Sequence, residues 1–170
     1  CFKNQKETVE YVNDMEFQEK MMRKAIALSL ENIKKGGGPF GAVIVKDGKI
    51  IATGVNRVTS NNDPTAHAEI TAIRKAAGKL KNFDLSGCEI YTSCEPCPMC
   101  LGAIYWAHLD KMYFANTKAD AQNAGFDDSF IYEEINLKPE DRKLKSQQLL
   151  REEALAAFET WKNTTNKTEY

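Results

Sequence analysis

Ala42-Val43-Ile44-Val45-Lys46-Asp47-Gly48-Lys49-Ile50-Ile51-Ala52-Thr53 places two short β-rich runs on either side of Asp47-Gly48. Asp-Gly accepts the positive φ angles of a type I′ turn, so the segment predicts an antiparallel hairpin. Upstream, Phe17, Met21, Ala25 and Leu28, with Met22, Ile26 and Ile33, recur at helical spacing until Gly36-Gly37-Gly38 ends the run. Asn13 stands three before Glu16 and is expected to cap that helix. Residues 1–13 are then a flexible, polar segment ahead of a single domain over 14–170. Downstream, Asp63 reads as an N-cap with Pro64 in the first helical position, opening a helix over Thr65 to Ala77 that stops at Gly78. Cys88 to Ser93 predicts a strand, Pro96 to Ala107 a helix and Lys111 to Thr117 a strand. After Asp120 the pattern is mixed, and Ser146 to Lys162 predicts a last helix. A hairpin followed by alternating helices and strands argues for an α/β fold, a mixed sheet with helices on both faces.

The 170 residues are about one domain's worth. Lys+Arg 23 against Asp+Glu 24 leaves a formal charge of -1, and 42% of residues are hydrophobic, the balance of an ordinary globular chain. A strongly basic nucleic-acid binder is disfavoured. The longest run without a charged residue, fourteen positions from Pro96 to Leu109, is too short to span a bilayer, which needs roughly 18 or more. No basic region followed by an apolar core opens the chain, so a cytoplasmic setting is expected, and Cys1 in place of Met is expected of a truncated or processed sequence.

The cysteines carry the first chemical clue. There are five, and three crowd into Cys94-Glu95-Pro96-Cys97-Pro98-Met99-Cys100. Such spacing suits metal binding in a reducing compartment better than a disulfide framework. Cys97 and Cys100, at i and i+3 at a helix start, can aim both sulfurs one way, and His67 opens another helix thirty residues earlier. Three protein donors with one position left open is the arrangement of catalytic zinc. Glu69 lies about 200° round the helix from His67, so the two converge only at its N-terminal end. There Glu69 stands near the open position, and both helix dipoles help keep the thiolates deprotonated. Two thiolates acidify water less than three neutral imidazoles would, so a general base becomes necessary, and Glu69 fills that role.

An iron-sulfur motif would need its next cysteine at position 104, which is Ile104. Cys94, ending a strand, is read as packing behind the metal rather than as a fourth ligand closing the site. Cys88 and His108 are assigned nothing.

His67-Ala68-Glu69 followed by Pro96-Cys97-Pro98-Met99-Cys100 matches the mark of zinc-dependent deaminases. With Gly37-Gly38-Pro39-Phe40-Gly41-Ala42-Val43, Asp63-Pro64-Thr65-Ala66 and Ala124-Gly125-Phe126-Asp127-Asp128, the chain from about Met15 onward resembles the guanine deaminase branch of the cytidine/deoxycytidylate deaminase superfamily. The Gly-Phe-Asp-Asp segment and Tyr170 are the features particular to that branch. The resemblance implies a three-layer αβα, cytidine deaminase-like fold, one zinc per chain, and guanine hydrolysed to xanthine and ammonia. It further implies that Asn56 binds the purine's polar edge, that Phe40 and Trp106 form pocket walls, and that Asp128 contacts the reacting amino group or relays a proton. Plain core packing for Phe40 and Trp106, and a solvated loop charge for Asp128, stand as the alternatives. Finally it implies a homodimer in which the C-terminal segment, about residues 146–170, crosses to the partner and Tyr170 covers the pocket.

A tRNA adenosine deaminase shares these motifs, but a pI near 6.2 is a poor match to a polyanionic substrate. Guanosine and cytosine deaminases are further alternatives that charge does not separate. A structural zinc module, closed by Cys94, would leave Glu69 without a task.

Overall fold

The computed structural model describes residues 2–170, with side chains described from Asn13 onward. Helix α1 spans Phe2–Lys34, β1 Gly41–Lys46, β2 Lys49–Val55, α2 Val58–Asn61, α3 Ala68–Leu80, β3 Cys88–Cys94, α4 Pro98–Trp106 and β4 Lys111–Asn116. Helix α5 (Lys118–Asn123), α6 (Ser129–Asn136), a 3₁₀ turn (Pro139–Asp141) and α7 (Arg151–Asn163) follow. They group into two compact units, one ending at Asp128 and one spanning Ser129–Tyr170.

In the first unit the strands lie in the order β2-β1-β3-β4, with β1 antiparallel to both neighbours and β3 parallel to β4. The predicted hairpin is present: Asp47 (φ 49) and Gly48 (φ 69) take the left-handed angles of a type I′ turn. A register shift between Ile44 and Val45 adds a local bulge. β1 is buried on both faces. Ala42 and Ile44 pack toward Ala68, Ala72 and Ala76 of α3 and Ile104 of α4, whereas Val43 and Val45 pack with Met21 and Ala25 of α1. Helices thus cover both faces of a mixed sheet, the expected three layers. Joining parallel strands requires a crossover, and α4 supplies it between β3 and β4.

Several helix boundaries differ from the sequence reading. Asn13 falls inside α1, because the preceding Lys, Gln and Glu residues are good helix formers and extend an existing helix without a new nucleation step. Asp63 does not cap α3. Its Oδ1 accepts from the Thr65 N–H (2.9 Å) and hydroxyl (2.7 Å), an Asx turn that leaves His67 as the N-cap residue. Gly78 does not stop α3 either, since Leu80 packs on the core; Lys81, in left-handed conformation, ends it. The last helix begins at Arg151, five residues after Ser146.

Glycine at one position determines how closely α3 seats on the sheet. A Cβ on Gly54 of β2 would overlap the Ala68 carbonyl and the Ala72 amide. Without a side chain there, the first turn of α3 rests directly on β2. No helix among the described residues is long and apolar enough to cross a membrane.

Candidate metal centre and active site

Two helix N-termini meet at the candidate site. His67 is the N-cap residue of α3; Cys97 is the N-cap residue of α4, with Pro98 preset for its first turn. Cys100 is buried one turn into α4, and Glu69 sits in the first turn of α3. Neither N-cap side chain makes a capping hydrogen bond. The two positive helix ends favour thiolate and carboxylate charge there.

His67, Cys97 and Cys100 offer donor atoms that all lie within 4.8 Å of one another. The His67 Nδ1 is 3.5 Å from each sulfur. Zinc bonds of about 2.3 Å to sulfur and about 2.0 Å to nitrogen, opened to a tetrahedral angle, put the two atoms about 3.5 Å apart. The donors therefore already stand along two edges of a zinc tetrahedron.

Charge in the site follows from these contacts. The Cys100 hydrogen bond, aided by His67, holds the Cys97 thiol well below its ordinary value, and the same bond with burial pushes Cys100 up. The hydrogen bond to Cys97 raises the His67 imidazole. Glu69 is only 7% exposed, and burial pushes its carboxyl up; its Oε2 lies 3.4 Å from the Cys100 sulfur. A carboxylate with little water around it, against a metal donor, is the geometry of a proton carrier. Burial, and after it the Cys97 charge, push the Asp128 carboxyl up.

Cys94 is outside this group. Its thiol is buried and donates to the Thr117 carbonyl (3.6 Å), while burial pushes its pKa up to about 11. Among the described residues the candidate metal ligands thus remain three. Cys88 packs in the core, and His108 lies 3.6 Å from Asp84 on the surface.

The remaining expected residues divide. Arg57 donates its N–H to the Ala66 carbonyl (2.8 Å), which ties Asn56 to the residue before His67. Phe40 meets Phe126 edge to face, centroids 5.0 Å apart, and also packs against the sheet-α3 core. Trp106 closes the other end of α4, about 13 Å along the axis from Cys97 by helix rise, and is 69% exposed. Tyr170 belongs to the second unit and is 77% exposed.

Two features escaped the sequence reading although it carried signals for them. Thr117 and Asp120 form a reciprocal capping box that starts α5, readable from their spacing. Asn32 continues the buried α1 stripe of Met21, Ala25 and Ser29, a polar residue on an inward face.

Residues 15–116 match the model of the cytidine and deoxycytidylate deaminase zinc-binding region. The chain belongs to that deaminase family. Zinc is accordingly the metal of this deaminase, and His67, Cys97 and Cys100 are positioned to hold it. The chain is 55% identical over 153 residues to guanine deaminase of Bacillus subtilis, covering 89% of this chain and 98% of that one. The crystal structure of that protein superposes with a TM-score of 0.87 over the same shares. A tRNA-specific adenosine deaminase of Aquifex aeolicus is 40% identical over 98 residues, 58% of this chain and 65% of its own. A guanine deaminase structure from Nitrosomonas europaea superposes with a TM-score of 0.62 at 36% identity, covering 71% of this chain and 66% of that one.

Proposed function

We propose that this deaminase hydrolyses guanine to xanthine and ammonia. The observation that carries the reading is the near full-length likeness to the Bacillus subtilis guanine deaminase, which reaches into the second unit. The likeness to the Aquifex aeolicus tRNA deaminase stops at 58% of the chain. Near-neutral net charge points the same way, to a small base rather than a polyanion.

Zinc held by His67, Cys97 and Cys100 supplies Lewis acidity that makes water nucleophilic near neutral pH. Glu69 moves the protons: its carboxylate takes one from the attacking water and gives it to the ring nitrogen, then takes the second from the newly added hydroxyl and gives it to the departing amino group. Water adds to the amino-bearing carbon, the carbon-nitrogen bond breaks, and ammonia leaves. Asn56 meets the purine's polar edge. Its Oδ1 already accepts from the Val58 N–H (3.2 Å), which leaves the amide NH₂ to donate to the base. The Phe40-Phe126 pair walls the ring, and Asp128 accepts from the amino group or relays its proton.

The active form in this reading is a homodimer. Helix α4 is apolar all round, and Met99, Tyr105 and Trp106 are exposed on it, with Phe114 exposed on β4, as on a surface that a second copy covers. Tyr170 then serves as the aromatic cover of a base pocket across the dimer, and Trp106 joins the pocket wall there. Reduced thiols suit a cytoplasmic setting.

Zinc-loaded protein given guanine, guanosine, cytosine, cytidine, adenine and a tRNA in turn is expected to release ammonia fastest from guanine. Faster release from any other substrate overturns the assignment, and silence with all six favours a zinc module without catalysis. Deleting Tyr170 is expected to slow guanine turnover at full zinc content; unchanged kinetics would make the residue a bystander.

A further inference from the structure

We infer that Asn32 is a positioning residue for base recognition: its buried amide holds Asn56 and Phe40 in place from helix α1. The inference rests on the guanine reading above, which assigns the base's edge to Asn56 and its ring to Phe40.

Asn32 is 3% exposed, on the face of α1 that packs on the sheet. An apolar side chain would continue that stripe, so the amide requires partners that justify its burial. It has two. Nδ2 donates to the Gly38 carbonyl (2.8 Å) and to the Asn56 carbonyl (3.0 Å). Both partners only accept, so the NH₂ end of the amide must face them.

Those bonds close a circuit. The Phe40 N–H donates to the Gly38 carbonyl (2.9 Å), and the Asn56 N–H donates to the Phe40 carbonyl (3.3 Å). The Asn32 main-chain carbonyl accepts from the Gly37 N–H (2.9 Å), fastening the same loop a second time. The loop's shape depends on the amide in turn: a Cβ on Gly37 would stand 2.7 Å from the Asn32 Cγ, and one on Gly38 3.1 Å from the Asn56 Cγ. The base's polar edge and its aromatic wall, sixteen positions apart in sequence, are thus both referred to one side chain on a third element. Asn32 touches neither the metal donors nor Glu69 through any described hydrogen bond. Its loss should weaken base binding rather than chemistry.

The test is a double-mutant cycle on the zinc-loaded full chain. Asn32→Ala is expected to raise the KM for guanine about tenfold or more, with kcat within about threefold, the pattern of lost uniform binding, and with zinc content unchanged. In an Asn56→Ala background, where only the Phe40 wall remains to be positioned, the same change should move KM by clearly less than in wild type, about threefold or less. Gly37→Ala displaces the Asn32 amide without deleting it and is expected to reproduce the KM effect. An unchanged KM in Asn32→Ala or in Gly37→Ala overturns the inference, as does a full effect persisting in the Asn56→Ala background. Loss of zinc or of the folded state in both variants would make Asn32 a structural residue and overturn it equally. A wild type inactive on guanine sinks the functional reading and this inference with it; an active wild type with an indifferent Asn32 sinks the inference alone.

Discussion

Glu69→Gln is expected to keep its zinc and to lose roughly 10²–10⁴ in kcat, the range typical of a general acid-base group. The amide has nearly the carboxylate's shape, so the buried space beside Cys100 stays filled and the donors stay where they are. What vanishes is the ability to accept a proton and give it back. Because the protons are moved in the transition state, kcat and kcat/KM should fall together while KM changes little. Steady-state ammonia release, read beside metal analysis of the same sample, checks this. Activity near wild type in a zinc-replete Glu69→Gln protein would remove the carboxylate from the mechanism.

Cys97→Ala should fail one step earlier, at the metal. Its sulfur is one of the three donors grouped within 4.8 Å, and without it only the His67 nitrogen and the Cys100 sulfur remain. Zinc is expected to fall well below one ion per chain after dialysis against a chelator, and ammonia release should drop to background. The fold should persist, because the two core clusters that join sheet and helices contain neither Cys97 nor Cys100. A second readout follows from linkage. Zinc at a hundred times its Kd stabilises a chain that binds it only when folded by about 2.7 kcal/mol, so added zinc should raise the melting temperature of wild type and not of Cys97→Ala. Stoichiometric zinc in the variant would mean that the donor set is wrong. Chelated wild type should recover activity when zinc is returned.

The two expectations separate because Glu69 and Cys97 lie on different helices, and the reasons they could be singled out differ as well. Cys97 and Cys100 belong to one helical turn, and their i, i+3 spacing alone places both sulfurs together. Glu69 was readable only as a partner of His67, through the argument that the pair must converge at a helix tip. The structure has that convergence, with the N-cap four residues later than the expected Asp63, so that His67 caps α3 rather than lying within it. Local signals and the structure differ most at the helix ends. Asp63-Pro64 carries every local sign of a helix start, yet Thr65 drew the aspartate into a turn. Gly78 carries the sign of a stop, and contact of Leu80 with the core overrode it. Such choices differ by about a kilocalorie per mole, the scale of a cap or a single glycine, and packing contributes more than that.

The sequence by itself determined what depends on neighbours along the chain: the Asp47-Gly48 hairpin, the long helix before it, and the donor chemistry of His67, Glu69, Cys97 and Cys100. Only the tertiary structure decided what depends on distance across the chain. It brought α3 and α4 tip to tip, docked α3 closely on β2 through Gly54, and set Cys94 aside against Thr117. It also tied Asn56 and Phe40 to Asn32. Local patterns are written in backbone propensity and side-chain period, which act over a few residues. The meeting of residues thirty positions apart follows from strand register and helix packing, and these exist only once the whole core has formed.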